Sequence, residues 1–496
     1  MLCIGIIFTI LESARIQALK VQMISGAESA LDSVFAEYDR NLFEKYGITL
    51  FHGGLEETLM EYLSFEYNPS KDRIHSGMSF FPLTVGEVVP ERMIRVVDNK
   101  GSIFAQVVVE YMKYKAVGDQ SKRILDQLNL LKKGEAARKD TEEAKEEAKS
   151  GDWDKLVSNG MVKEVQNTKI HSKQNVVRDG NERETKEGEE ETFDRERFEK
   201  EWDDSVIHDV EEAKKRGVLK LVLPRGSSVS GEKMEKGELP SEHIPEGEAL
   251  NYENGMDEMG RELLYNVYLT SYFPSFVSKE KRNGVQYELE YIIFGESSDD
   301  KNLKACVNRL LLIREGLNVL HIIKSPEKMK TIWSMAMALM GWTQIPMLVT
   351  LMKGALVGAW AFGESIIDVR TLLDGGKVNL IKSDSEWNLG LDEVASFLKG
   401  NIQRGKEGKN GLVYTDYLML LLFLEKKEEK YYRTMDMVQT NMRKIEPEFQ
   451  LKDCIFGVQL ELEVQAGNIF SKWISLPLGK NLEGLYDYRF SVSKMY

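Results

Sequence analysis

Cysteine is nearly absent from this 496-residue chain: Cys3, Cys306 and Cys454 are too few and too scattered for a disulfide framework or a thiolate zinc site. Cys3 lies in an apolar run, Cys306 on a helical apolar face and Cys454 on the apolar face of a strand, so all three read as packed thiols. So few cysteines leave the compartment open. Histidine is as sparse. His52, His75, His171, His208, His243 and His321 stand alone, with no HExxH or paired-ligand spacing. His321 follows Leu320 at the border of a helical apolar face and reads as a boundary histidine. Positive charge is in deficit: 66 Lys and Arg against 80 Asp and Glu give a net charge of -14. No local basic cluster reverses this, which argues against a nucleic-acid partner. No G-x-S-x-G elbow exists, and Gly226-Ser227-Ser228-Val229-Ser230-Gly231 is a turn sequence. Gly400-x-x-x-x-Gly405-Lys406 imitates a phosphate-binding loop, but Glu407 stands where Ser or Thr would hold magnesium, and a helix precedes it. The paired acids Asp299-Asp300 and Glu461/Glu463 fit a helix start and a solvent face. No catalytic, cofactor-binding or metal-binding constellation emerges, so neither an enzyme nor a cofactor is expected.

What the chain does have is an unusual beginning. Met1 to Leu11 is apolar and uncharged, and an amphipathic pattern follows: Ala14, Leu19, Val21, Ile24, Ala27, Leu31, Val34, Phe35, Tyr38, Leu42 and Phe43 recur at helical steps. No proline interrupts residues 1–46. A single helix of about 45 residues would span roughly 65 Å. The apolar run is about half of the roughly 20 residues a bilayer span needs. Three readings fit: a span completed by residues upstream, a short interfacial anchor, or a buried helix. A cleaved signal peptide fits poorly, for lack of a basic n-region. Glu12 closes the apolar run. An acid there is costly in lipid and calls for a partner, either a basic group on a neighbouring subunit or Arg15, one turn on.

Further along, Tyr46 to Phe51 is a short strand candidate and Leu55 to Tyr67 a helix stopped by Asn68-Pro69-Ser70. Phe80 to Val97 is β-rich, with Pro82 and Pro90 marking an edge, bulge or break. A helix follows from Ser102 to Lys132. Residues 133–218 are charged in both signs and poor in apolar residues, which predicts a mobile linker or surface insertion. Leu219 to Leu223 is a buried-strand candidate, and YELEYIIFG a short strand or helix start. Asp300 to Ile323 is a helix, and Ser325-Pro326-Glu327 opens the next. Thr331 to Met352 carries no charge over 22 residues, enough to cross a bilayer. Gly354 to Gly358 offers a close-packing small-residue step. Gly341 and Pro346 divide the run, however, which favours two short antiparallel core helices. Val378 to Ile381 is a short strand candidate, and helices follow over 392–399 and 415–444. Cys454 to Ala466 alternates as an antiparallel strand, and Tyr486 to Val492 closes. The fold class is α+β: a long N-terminal stalk helix and a helical middle packed on a small, mainly antiparallel sheet. Its segments are 1–46, 47–132, the charged insertion 133–218, and 219–496.

The apolar run ending in Glu12-Ser13-Ala14-Arg15, followed by an Ala- and Gln-containing amphipathic helix, resembles the TadE/TadG pseudopilin-like proteins of the Tad (tight adherence) pilus machinery. LDSVFAEYDRNLFEKYGITLF, YELEYIIFGESSDDKNLKACVNRLLLIREGLN, GESIIDVRTLLDGGKVNLIKS and YTDYLMLLLFLEKKEEKYYRTMDMVQTNMRK are similar to an uncharacterised family, a domain of unknown function in anaerobic Gram-positive bacteria often encoded beside Tad pilus genes. Relatives carry a longer apolar segment before the glutamate. The resemblance implies a membrane-anchored, non-enzymatic component with its bulk outside the cytoplasm. Its partners would be the cell membrane and other pilus or secretion-system subunits, and Glu12 and Arg15 would seat the helix at the membrane boundary or against partner helices. The alternative is a soluble or surface interaction protein without a pilus role.

Overall fold

A computed structural model describes residues 2–67, 83–116, 218–235, 237–245, 257–280, 282–398, 405–409, 411–470 and 485–496, with single positions at 81, 129, 132, 134 and 210. The expectations for Pro82, for the stop at 68–70 and for nearly all of 117–132 and 133–218 lie outside the described residues. Two compact units emerge. The first draws on Met1–Gln120, Glu235–Tyr268 and Glu425–Tyr496, the second on Ser121–Met234 and Leu269–Leu424.

The first unit is built around one strand. β3 (Cys454–Gly467) pairs antiparallel with all three other strands: β1 (Phe51–His52), β2 (Leu83–Arg95) and β4 (Leu485–Met495). β2 takes one edge, from Leu83↔Ala466 to Arg95↔Ile455. β4 and the two-residue β1 share the other edge, with Gly457↔Met495 and Phe51↔Ile455. The alternation read from sequence holds: Val458, Leu460, Leu462, Val464 and Ala466 are buried. Pro90 lies beside a register shift on outer strand β2, where its missing N–H costs least.

Two helices cover the buried face of this sheet. α1 (Leu2–Ala36) supplies Leu19, Met23, Ala27, Ala30, Leu31, Val34 and Phe35 to the same core as Leu55, Leu59, Leu63 and Tyr67 of α3 (Leu55–Tyr67). They approach closely at Gly26, where a Cβ would come within 2.6 Å of the Tyr67 ring. The Tyr67 hydroxyl donates to Met23 O at 2.6 Å. The stripe is rotated from the one expected. Val21 and Ile24 face out, while Glu12 and Arg15 lie in line with Leu19 and Met23.

The single helix expected over 1–46 breaks in two. Asp39 extends its backbone and accepts the Leu42 N–H on its side chain, capping α2 (Arg40–Tyr46). Gly47 ends α2 in the left-handed conformation (φ 69°). The helix expected over 415–444 also divides, into Tyr414–Leu422 and Lys427–Met442, where the chain passes between units at Leu424 and Glu425. In the first unit α4 (Ser102–Ala116) and the Lys427–Met442 helix complete the packing, with the Tyr432 hydroxyl on Val97 O at 3.0 Å.

The second unit is helical among its described residues. Leu219–Val222, expected as a strand, is one helical turn with Val222 buried. A stretch of five with four apolar residues has no decisive period, and here it meets helices rather than a strand edge. YELEYIIFG resolves as α5 (Glu288–Phe294), and Asp299–Lys324 forms α6. Val378 makes a single bridge to Leu412 in place of the expected strand. Residues 326–373 form a helical hairpin of α7 (Pro326–Met340) and α8 (Pro346–Leu373) joined by the turn Gly341–Thr343. The second half of α8 is core. Its first two turns and the end of α7 are not.

Candidate functional site

The first turns of α1 differ from the rest of that helix. From Gly5 to Leu11 no residue is buried, and Ile6, Ile7 and Ile10 are each more than half exposed. Thr9 turns its hydroxyl onto Gly5 O at 2.8 Å, so the helix hides its own polar group. Glu12 and Arg15 follow at once, both buried. Arg15 Nη2 donates to Glu12 Oε1 and to Gly467 O, each at 2.6 Å, and Phe470 N donates to the other Glu12 oxygen at 2.8 Å. The acid–base pair is thus clamped to the end of β3 rather than left on the helix surface, and Phe8 stacks against Phe470 above it. Chemically, this is an apolar helix end presented beyond a charged, hydrogen-bonded clasp. The helical spacing of 12, 15, 19 and 23 was the sequence signal for the clasp. Its partners Gly467 and Phe470 carry no such signal.

Two ionisable clusters among the described residues are interior to the second unit. In the second unit Arg314 of α6 is fully buried. It donates to Asp368 Oδ2 at 3.0 Å, to the carbonyls of Asn379 and Leu380 at 2.8 Å each, and to the Tyr417 hydroxyl at 3.1 Å. Lys382 pairs with both Glu364 and Asp368, so two cations meet two anions. Glu364 also receives the backbone N–H groups of Asn388 and Leu389. Burial alone would lower the Arg314 pKa, but Asp368 and Tyr417 more than offset this and hold it charged. The group pins a loop (379–389) to two helices.

A smaller cluster joins Glu290, Tyr414 and Cys306. Tyr414 donates to Glu290 Oε1 at 2.9 Å, its oxygen lies 3.2 Å from Cys306 Sγ, and Phe276 N donates to the same carboxylate oxygen. Burial pushes Glu290 up to about 7, against the opposing pull of the Phe276 N–H and the Tyr414 hydroxyl. Burial also raises Cys306 well above the ordinary thiol range, so this sulfur is a protonated packing group and a poor nucleophile. Cys454 is likewise buried, while the Cys3 side chain lies outside the described set. His321 stacks on Trp387 and bonds Asp384 at 3.0 Å. Burial and Lys328 lower its pKa. Of the loop resembling a phosphate site, Gly400 lies outside the described residues. Gly405 N and Lys406 N are bonded to Thr371 and Asn388.

One constellation had no sequence signal. Asp39, His52 and Glu446, half-buried, bring ligand atoms within 4.8 Å of one another. His52 Nδ1 is 3.7 Å from Asp39 Oδ2, while Asp39 Oδ1 caps α2 and Glu446 Oε1 accepts from Asn41. Such a nitrogen–oxygen set suits zinc or manganese. Positions so far apart in the chain carry no motif, and β1 and the end of the Lys427–Met442 helix bring them together.

Residues 196–466, more than half of the chain, match a family of unknown function, DUF5702. The chain belongs to that family. No curated protein and no solved structure matches it. The DUF5702 segment holds the Arg314 and Glu290 clusters and β3, but β1, β2, β4 and the Glu12–Arg15 clasp lie outside it. The sheet of this DUF5702 protein is therefore completed by flanking chain.

Proposed function

We propose that this protein is a membrane-anchored, non-enzymatic extracytoplasmic component, an accessory or minor pseudopilin-like subunit of a Tad-type pilus or secretion system. The observation that carries the reading is the end of α1: an exposed apolar stretch with its one hydroxyl satisfied internally, set off by a buried charge pair. An apolar helix end of this kind gains by entering lipid or by packing on partner helices. Glu12 and Arg15 act as positioning residues that fix where the apolar end leaves the folded unit. The TadE/TadG-like pattern of the same residues supports pilus or secretion-system subunits as partners. The non-enzymatic part rests on the chemistry of the interior clusters: Arg314 and Lys382 are neutralised by Glu364 and Asp368, and the Cys306 thiol is held protonated.

Cell fractionation with trypsin added outside intact cells tests this. The expected result is membrane association, with external cleavage within the Lys- and Arg-rich stretch 133–218. A protein recovered entirely in the cytosol and protected from trypsin would refute it, leaving the soluble reading in which α1 serves only the sheet core.

A further inference from the structure

The α7–α8 hairpin ends in an apolar tip that the described residues of the second unit do not cover. Trp342 is 79% exposed and Met347 70%, and Met337, Ile345 and Leu351 are each at least two-fifths exposed beside them. Core packing explains the far half of α8, where Glu364 and Asp368 sit in the Arg314 group, but not this end. Three features say what covers it. First, the polar groups of the turn other than the Gln344 side-chain amide are satisfied from within. Trp342 Nε1 donates to Leu339 O at 2.8 Å, Thr343 Oγ1 to Met340 O at 2.6 Å, and Thr350 Oγ1 to Pro346 O at 3.2 Å. The backbone N–H groups of Gln344, Ile345 and Leu348 are bonded locally, and Pro346 has none to satisfy. A surface meant for a polar protein partner would offer such groups; one meant for hydrocarbon must hide them. Second, no acidic residue occurs from Lys328 to Gly363, while Lys330 and Lys353 are basic; Lys328 is taken up by its pair with Asp384. That bias complements anionic lipid headgroups. Third, Trp342 sits at the apex, and tryptophan favours the bilayer interface.

We infer that the α7–α8 tip is a monotopic membrane contact that seats Trp342, Ile345, Met347 and Leu351 in the interface of an anionic bilayer. This contact is separate from the α1 anchor and does not depend on it. It is not a span: the charged, buried second half of α8 limits entry to the first turns.

The test uses the full chain with Cys3→Ser and an environment-sensitive fluorophore on Met347→Cys. A control carries the probe on Asn308→Cys, on the exposed face of α6. Both are mixed with vesicles of phosphatidylcholine plus phosphatidylglycerol, and with phosphatidylcholine alone. The probe at 347 is expected to shift to the blue and to be quenched by lipids brominated on their tails, more strongly on the anionic vesicles. The probe at 308 should do neither. Trp342→Glu should lower the probe response at least tenfold at fixed lipid. Vesicle-bound protein whose probe at 347 stays in water would overturn the inference while leaving the α1 anchor standing. Loss of binding to both vesicles would overturn it as well. Concentration-dependent shielding of the probe without lipid would replace it with self-association of two copies, for which Gly354 and Gly358 leave open space.

Discussion

Raising the pH from about 5 to about 8 is expected to weaken the second unit by about 2.5 kcal/mol through Glu290 alone. The carboxyl is fully buried, and its pKa stands at about 7 against an ordinary value of 4.5. Each tenfold change in proton affinity is worth about 1.4 kcal/mol. Because the folded state binds this proton more tightly than the unfolded state, the contribution is intact below about pH 4.5. It is lost progressively as the pH rises, and is fully lost above about 7. His321 works in the opposite sense, because its lowered pKa makes folding disfavour its proton, and that penalty disappears as the pH rises to 6.5. The comparison must therefore be made against Glu290→Gln, which keeps an oxygen for Tyr414 and Phe276 and cannot titrate. Urea unfolding followed by tryptophan fluorescence suits the purpose, since Trp333, Trp342, Trp360 and Trp387 all lie in this unit. The stability of the wild type relative to Glu290→Gln should fall by about 2.5 kcal/mol between the two pH values. A difference that stays constant within about 0.5 kcal/mol refutes the assignment of a raised pKa to this carboxyl.

Three further outcomes are expected. Arg314→Met leaves two anions against Lys382 alone and orphans the carbonyls of Asn379 and Leu380, so it should cost about 3–5 kcal/mol. Differential scanning calorimetry should show a fall of several degrees in the second unit, and an unchanged melting temperature would contradict the network. Gly47→Ala places a Cβ 2.1 Å from the Tyr111 ring at φ 69°, and denaturant titration should show a loss of about 2 kcal/mol or more. If Asp39, His52 and Glu446 hold a cation, zinc at about a hundredfold over its Kd should stabilise the first unit by about 2.7 kcal/mol. His52→Ala should abolish that gain, and an equal gain in the variant would rule the cluster out.

Much of the fold was legible because the residues repeat a period. The alternation from Cys454 to Ala466 gave β3 its two faces, and the apolar spacing of Leu303, Val307, Leu310 and Leu311 gave α6. Breaks were harder. Asp39 starts a second helix through one side-chain bond to Leu42 N, and an aspartate within a helical pattern does not announce that. Between Leu422 and Lys427 neither proline nor glycine marks the interruption. Glu12 and Arg15 were visible as an unusual pair one turn apart. Their burial was not, because it depends on Gly467 and Phe470, more than four hundred residues away. The uncharged run over 331–352 reads as two short antiparallel core helices; the pair forms, but α8 runs 28 residues and the tip is not core. That its tip stays outside the core follows only from tertiary packing.

The central place of β3 also sets a timetable. Tyr496, beyond β4, bonds Phe35 of α1 across 461 residues of chain. At about 5–20 residues per second, synthesis separates those two partners by on the order of 20–90 s. For about nine-tenths of that interval the sheet side of α1 has neither β3 nor β4 against it. A newly made chain must therefore shelter this flank by other means, in a translocon, against a chaperone or on a lipid surface, before its own sheet can take over.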